Sequence, residues 1–273
     1  MLLLALDTST RYASVALCSE NELLSEYTWF SENNHSVDLL DRVQRIMAQR
    51  QISLQQLDAI AVALGPGSFN GVRVALASAK ALAFSLQKPL VGVGTLDVIA
   101  AQQQLWRGPI CAVLEAGRSE LYAGLYFSAE LKSTDGEVSY HLQQVGTYFL
   151  GTPQQLVEEI QSQLSNWPVA LSAPVLFCGE IKAISRQALR QGMAEQGVLR
   201  DAIQSTRFAS VLAQLALQRL QDGKADDPLV VEPLYLRRPS ITKSTRKQPL
   251  LGGALLRSND HDTTEREQGA LRH

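Results

Sequence analysis

The chain repeats one order of predicted elements, and this repeat limits the folds that its 273 residues can adopt. In each half, three predicted strands come first, and a helix, a strand and a helix follow them. The predicted strands lie at 2–6, 13–18, 23–30, 57–64 and 90–93, and then at 110–114, 121–127, 138–148 and 175–178. The predicted helices lie at about 33–50, 74–86, 95–106, 152–164, 181–194 and 206–220. Such a duplication predicts an α/β fold of two related lobes that face each other across a cleft.

Chain length and local composition divide the sequence into three regions. A chain of 273 residues is long for a single core, so two domains of ordinary size are expected. We predict an N-terminal lobe at 1–107 and a C-terminal lobe at 108–241, which ends in a strand or extended segment at 230–236. Large apolar residues become scarce in the last region, so we predict a mostly flexible tail at 242–273.

Overall composition gives no reason to expect nucleic acid or membrane as a direct partner. The formal net charge is −2, so the whole chain has no general attraction to phosphate backbones or anionic lipids. Cys18, Cys111 and Cys178 lie far apart in apolar runs, which is typical of buried thiols in a reducing compartment. The chain has no basic leader at its start and no run of about 20 apolar residues. We therefore expect a cytoplasmic protein.

A glycine-rich turn followed by an apolar helix is the most informative local motif. Residues 65–73 read Gly-Pro-Gly-Ser-Phe-Asn-Gly-Val-Arg, and Lys80 is the only charged residue from 74 to 86. A row of small residues spaced by four allows another helix axis to approach within about 8 Å; here the row is Gly71, Ala75, Ala79 and Ala83. An apolar helix of this kind needs cover on both faces. We predict that a protein partner supplies one cover, and a core helix enclosed by its own domain is the alternative.

The predicted helix at 33–50 also has a broad apolar face, formed by Val37, Leu40, Val43 and Met47 and widened by Leu39 and Ile46. Two such helices would leave a large apolar patch unless another protein covered it. We therefore predict a partner interface formed by His35, Leu39, Leu40, Val43, Met47, Arg73, Ala75, Leu76, Ala79, Leu82 and Ala83. For the isolated chain, the same reasoning predicts a homodimer through these helices.

Asp7-Thr8-Ser9 follows the first predicted strand and is a second candidate site. A carboxylate and hydroxyl groups in this position can hold a metal–phosphate group in a duplicated α/β protein. Together with Gly65 and Gly67, these residues form a candidate vestigial nucleotide turn. The alternative is that Asp7 and Thr8 satisfy backbone amides within the turn.

Other signals of catalysis are weak. The glycine-rich turn is neither a Walker loop nor a dinucleotide fingerprint, because no Gly-Lys-Ser/Thr follows it and Asn70 stands at the third glycine position. The four histidines have none of the spacings typical of metal sites. We predict no catalytic residue, no metal ligand and no bound cofactor.

Four motifs together resemble the bacterial TsaB (YeaZ) family. They are Leu6-Asp7-Thr8-Ser9, residues 65–73, Arg118-Ser119-Glu120-Leu121-Tyr122 and Pro233-Leu234-Tyr235-Leu236-Arg237. The resemblance covers residues 1 to about 240. It implies an actin/Hsp70-like (ASKHA) fold with two RNase-H-like lobes, whose mixed sheets are flanked by helices.

The resemblance also implies a function. Members of this family are non-catalytic dimerisation and scaffold subunits of the complex that makes N6-threonylcarbamoyladenosine (t6A) at position 37 of tRNA. The implied partners are a TsaD-like catalytic subunit, bound through the first-lobe helices, and a TsaE-like ATPase; tRNA is reached through the complex. TsaD-like relatives carry two metal-binding histidines, whose positions correspond here to Thr95 and Ile99.

Two hypotheses of different classes follow from these motifs. In the first, the chain is a scaffold subunit without catalytic activity, and its function is the surface of the first two helices. In the second, it is an ATP-dependent phosphotransferase or a metallopeptidase that uses the cleft between the lobes. The candidate turn at Asp7 and the kinship with ATP-binding folds motivate the second hypothesis.

Overall fold

The first half of the chain forms a mixed five-stranded sheet with the strand order β3-β2-β1-β4-β5. The computed structural model describes residues 1–32, 35–132, 138–165 and 173–237. Its first strands pair antiparallel, whereas β1, β4 and β5 are parallel. The strands of this first lobe are β1 (Leu2–Asp7), β2 (Tyr12–Ser19), β3 (Leu23–Phe30), β4 (Ala59–Ala63) and β5 (Leu90–Val93). Its helices are α1 (His35–Gln49), α2 (Phe69–Leu86) and α3 (Thr95–Ala101).

The second half forms another mixed five-stranded sheet, with the order β10-β9-β6-β7-β8. Its strands are β6 (Ile110–Gly117), β7 (Glu120–Lys132), β8 (Val138–Gly151), β9 (Val175–Glu180) and β10 (Gly197–Leu199). Its helices are α4 (Pro153–Ser165), α5 (Ala183–Met193) and α6 (Ala209–Gln221). Counted within each lobe, both sheets have the order 3-2-1-4-5. This repeat confirms the predicted duplicated α/β fold of two lobes with mixed sheets.

Two helices pack on the sheet of the opposite lobe. The buried side of α3, formed by Leu96, Ile99 and Ala100, packs with β6 and β7 in the second lobe. The α6 residues Ala209, Leu212, Ala213 and Ala216 pack on the first sheet, against residues of β1, β4 and β5. The division predicted at 107/108 therefore separates the two sheets but not the packing of their helices. Residues 1–239 form one compact unit, and the predicted tail at 242–273 lies outside the described residues.

Several element bounds differ from the predicted ones. Helix α3 ends at Ala101 rather than near 106, because the chain turns there and the Trp106 indole donates to the Pro174 carbonyl (3.0 Å). The short strand β10 was not predicted. Residues 230–236 contain no strand, but the Leu234 amide donates to the Leu64 carbonyl (2.7 Å), which returns this segment to the first lobe.

Among the described residues, no helix combines the length and the apolar character that a membrane crossing requires. The three cysteines are free and buried, as predicted. Burial raises the pKa of the Cys18 thiol to about 11 and that of Cys178 to about 12. These thiols therefore remain protonated and unreactive at neutral pH.

Candidate functional site

The small-residue row of α2 belongs to the core of the first lobe. Ala75 and Ala79 are fully buried, and Ala83 is 2% exposed. They lie in one apolar cluster with residues of α1 and of strands β1, β2 and β4. The prediction that this row faces a partner is therefore wrong: the small side chains let α2 approach its own sheet and α1.

Four other residues of the predicted interface are also buried in the core of the first lobe. Leu39, Val43, Met47 and Leu76 are all at most 5% exposed and belong to the same cluster. The face of α1 that packs on the sheet is Leu39, Val43, Ile46 and Met47, so it is rotated away from Val37 and Leu40. The four core residues are wrong as partner contacts, because their side chains are already covered by their own lobe.

An exposed apolar surface remains on the outer faces of α1 and α2. Val37 is 70% exposed, Leu40 52% and Phe84 75%. Arg73 is exposed near the start of α2, and its guanidinium lies over the ring of Phe69 at 5.0 Å. We call Val37, Leu40, Arg73 and Phe84 the helix-pair surface. Of the predicted interface residues, Leu40 and Arg73 belong to it, while His35 and Leu82 are half-buried.

His35 begins α1. Its Nδ1 is buried and has no hydrogen-bond partner among the described residues. Burial lowers the pKa of His35, although the nearby carboxylates of Asp38 and Asp7 partly oppose this. His35 is therefore held as a neutral imidazole at neutral pH.

The turn at Asp7-Thr8-Ser9 is buried and joins the starts of α2 and α3. The Thr8 hydroxyl donates to the Gly71 carbonyl (2.6 Å), and the Ser68 amide donates to the Ser9 carbonyl (2.6 Å). The Thr95 hydroxyl donates to the Ser9 hydroxyl oxygen (2.9 Å). The Thr8 and Ser9 hydroxyls thus bond to α2 and α3, and not to the amides of the turn that the alternative interpretation named.

The two glycines of the candidate turn have different roles. Gly65 has a φ of +97°, a conformation that side chains rarely adopt. A Cβ atom on Gly67 would lie 2.2 Å from the Ser9 carbonyl oxygen. Gly65 therefore allows the chain to turn, and Gly67 allows the start of α2 to approach the turn at Asp7.

Asp7 forms a buried ion pair that the sequence analysis missed. Its Oδ1 accepts from the Ser9 amide (2.7 Å), and its Oδ2 accepts from Nε of Arg207 (2.9 Å). Both side chains are 1% exposed. The sequence did contain a signal: Arg207 is the only charged residue from 202 to 218, in a segment of apolar and neutral polar residues.

The Arg207 guanidinium contacts both lobes. Nη1 donates to the carboxylate of Glu180 at the end of β9, and Nη2 donates to the Tyr12 carbonyl (2.9 Å) and the Thr10 hydroxyl (3.1 Å). Burial by itself lowers the pKa of Arg207, but the charges of Asp7 and Glu180 outweigh it and raise the pKa. Arg207 is therefore a permanent internal cation.

A second polar cluster also joins the lobes. Asp97 of α3 accepts through Oδ1 from the hydroxyls of Tyr126 (2.6 Å) and Tyr148 (2.8 Å), which lie on β7 and β8. Burial, together with the Asp97 charge, raises the pKa of both tyrosines, so both remain protonated donors. This cluster fixes α3 on the second sheet.

A cavity of about 940 Å³ opens beside Arg207 between the lobes. Tyr12, Phe30 and Phe69 line it from the first lobe, and Glu115, Glu180 and Lys182 from the second. Among the described residues, no group of three His, Cys, Asp or Glu side chains can hold a metal ion. Thr95 and Ile99, at which the family resemblance implies histidines in TsaD-like relatives, are both buried.

Comparisons with known proteins agree with this architecture. A family model described as "TsaD: tRNA N6-adenosine threonylcarbamoyltransferase" matches residues 29–244. A protein of Bacillus subtilis named "tRNA threonylcarbamoyladenosine biosynthesis protein TsaB" is 30% identical over 240 residues, which are 87% of this chain and 94% of the relative. The Escherichia coli protein of the same name is 29% identical over 242 residues, with 87% and 95% coverage.

A solved structure gives the same result. The structure titled "YeaZ from Pseudomonas aeruginosa" has a TM-score of 0.67 and 28% identity, and the match covers 86% of this chain and 99% of that chain. Sequence and structure therefore agree over the region that carries both sheets. The chain belongs to the TsaB family, also called YeaZ.

Proposed function

We propose that this chain is a non-catalytic scaffold subunit of the complex that makes t6A in tRNA, and that it binds a TsaD-like catalytic subunit. The observation that carries the proposal is the helix-pair surface: three large apolar side chains are at least half exposed on helices whose opposite faces form the core. Exposed apolar groups of this size, grouped on neighbouring helices, are typical of protein-binding sites. The names of the TsaB relatives support the assignment to t6A biosynthesis.

The composition of the surface matches an ordinary protein interface. The helix-pair surface combines aromatic and aliphatic side chains with one arginine, and both residue types are common in interfaces. Arg73 also packs on Phe69, whose ring lies 5.4 Å from that of Tyr235. The start of α2 is thus held in place before any partner binds.

The rest of the assembly follows from the same proposal. A TsaE-like ATPase would join the pair, and tRNA would be reached through the complex rather than through this chain alone. Without its partner, the chain would cover the helix-pair surface by forming a homodimer. A complex that acts on tRNA in bacteria would work in the cytoplasm.

The test is complex formation between this chain and a TsaD-like protein, measured by light scattering after size-exclusion chromatography. We expect Leu40→Asp and Phe84→Asp each to weaken binding about tenfold or more, because each replaces an exposed apolar side chain of the helix-pair surface with a carboxylate. The matched control is Ile184→Asp, since Ile184 is 78% exposed on α5 in the second lobe. It should bind as the unmodified chain does.

Circular dichroism on the same variants checks that they remain folded. Because Leu40 and Phe84 are exposed, their replacement should leave the Tm nearly unchanged. Equal binding by all three variants, with the fold intact, would contradict the proposal. For the chain alone, we expect a dimer at tens of micromolar, roughly the range where weak interfaces still pair. Leu40→Asp should convert it to a monomer.

A further inference from the structure

The position of Asp7 is the one at which proteins of this fold are expected to hold a metal–phosphate group, so its surroundings test whether such a group fits. One oxygen of Asp7 accepts from the Ser9 amide and the other from Arg207. The side chain is 1% exposed, so it does not face the cavity between the lobes. Each oxygen of Asp7 therefore already has a donor within the chain, and neither faces the cavity.

The corresponding turn of the second lobe is equally unsuited to a phosphate. Glu180 ends β9 and places a carboxylate on the wall of the cavity, where it accepts from Arg207 and from the Thr10 hydroxyl (2.7 Å). Glu115 adds a second carboxylate to the wall, whereas Arg11 and Lys182 add two cations, so the cavity has no excess positive charge. The residues present do not fit a metal-bound nucleotide.

Arg207 instead occupies the point at which the two lobes meet. Its guanidinium binds Asp7 at the end of β1 in the first sheet and Glu180 at the end of β9 in the second. It also binds the Thr10 hydroxyl and the Tyr12 carbonyl, so four groups from both lobes surround one cation. A planar guanidinium with five donors suits this task because it can hold two carboxylates in fixed directions.

We propose that Arg207 is an internal substitute for a bound cation: it holds the two lobes together permanently, and no ligand is needed to close the cleft. In a two-lobed protein that closes on a ligand, the attraction between the lobes appears only when the ligand binds. Here the same attraction comes from a side chain. This proposal is independent of the helix-pair surface and of any partner.

The first test is amide hydrogen exchange on the full chain, with Arg207→Met as the main variant. We expect exchange in residues 8–12 and 179–182 to rise about tenfold or more, because both turns lose the cation between them. Exchange in β4 should not change. Arg207→Lys, which keeps the charge but not the planar fork, should restore part of the protection.

The matched control is Arg219→Met. Arg219 lies on α6 and binds Asp226 (3.3 Å) and the Gly92 carbonyl, beside β5 of the first sheet and without contact to the Asp7 or Glu180 turns. Its removal should leave exchange at 8–12 and 179–182 unchanged. Should Arg207→Met fail to fold, Glu180→Gln decides the question. Glu180 is 23% exposed, so the variant removes the ion pair of Arg207 with the second sheet and keeps the buried ion pair with Asp7 of the first sheet. Unchanged exchange in whichever of the two variants folds would overturn the proposal.

The second test uses Mg–ATP as the probe on the unmodified chain. We expect no saturable heat in calorimetry up to about 1 mM nucleotide, because the carboxylate at the expected metal position is already paired with Arg207. Stoichiometric Mg–ATP binding that Asp7→Asn abolishes would show that a ligand, rather than Arg207, closes the cleft. That result would overturn the proposal but would leave the proposed binding to a TsaD-like protein untouched.

Discussion

The cleft between the lobes and the helix-pair surface differ in how far the chain itself satisfies their chemical groups. At the junction of the lobes, Arg207 binds Asp7 and Glu180, and Asp97 accepts from two tyrosines. On the helix-pair surface, Val37, Leu40 and Phe84 remain more than half exposed. These charges at the junction have partners within the chain, whereas the apolar side chains of the helix-pair surface are open to solvent.

This difference indicates which of the two regions is available to bind another molecule. The buried Asp7–Arg207 ion pair is held by further hydrogen bonds within the chain and does not face the cavity. An exposed apolar surface gains free energy when another protein covers it. The predictions below are ordered from the largest expected effect on stability to the smallest.

The largest loss of stability should come from Ala79→Arg. This variant tests whether the small-residue row of α2 is part of the core. Ala79 is fully buried, so the guanidinium would enter an apolar core without a partner. We expect a loss of more than about 4 kcal/mol in the free energy of unfolding, measured by urea denaturation. Ala81→Arg, at an exposed position of the same helix, is the control and should change stability by less than about 0.5 kcal/mol. Similar unfolding curves for both variants would mean that the row is not core.

Asp7→Asn should have the next largest effect, because it leaves Arg207 buried with one of its two carboxylates. We expect a loss of about 3 kcal/mol, at the lower end for a broken buried pair, since Glu180 remains. Glu180→Gln should cost less, because that side chain is 23% exposed against 1% for Asp7. Chemical denaturation at neutral pH measures both losses. The reverse order of losses would contradict the description of Asp7 as the buried partner.

Tyr148→Phe should cost about 1 kcal/mol, because Asp97 loses one of its two tyrosine donors but keeps Tyr126. Tyr27→Phe is the control, since the Tyr27 hydroxyl donates to Gln49 (3.1 Å) at an exposed site. It should have almost no effect on the unfolding midpoint. If Tyr148→Phe lost as much stability as Asp7→Asn, the tyrosine cluster, rather than Arg207, would be the main junction of the lobes.

The smallest effect concerns pH and His35. Its folded pKa lies below its ordinary value of 6.5, so the unfolded chain binds the proton more tightly than the folded chain does. Its contribution to stability is complete above pH 6.5 and is lost as the pH falls below that value towards the folded pKa. Comparing the Tm of the unmodified chain with that of His35→Gln from pH 7.5 to pH 5.5 measures this. A parallel course of the two curves would exclude His35 as the cause.

Element order and fold class could be predicted from the sequence because they depend on local patterns. Strand and helix periodicity, together with the break between the lobes at Gly108-Pro109, identified every strand of the described residues except β10. That strand has only three residues. The buried side of a helix was harder to predict. In α1, six apolar residues cover about half of the circumference, so periodicity did not decide whether Leu39 or Leu40 faces the core. The sheet decides this, because it covers the side chains on one face of α1 and leaves those on the adjacent face exposed.

By itself, the sequence determined the two-lobed α/β fold, the family and the three buried cysteines, because these follow from residue order and from motifs within short segments. The tertiary structure alone decided which apolar residues remain available to a partner and what fills the junction of the lobes. Arg207 lies 200 positions from Asp7 in the sequence, and no local pattern relates them. Their pairing depends on α6 crossing to the sheet of the first lobe, where burial makes a single guanidinium the counter-ion of two carboxylates.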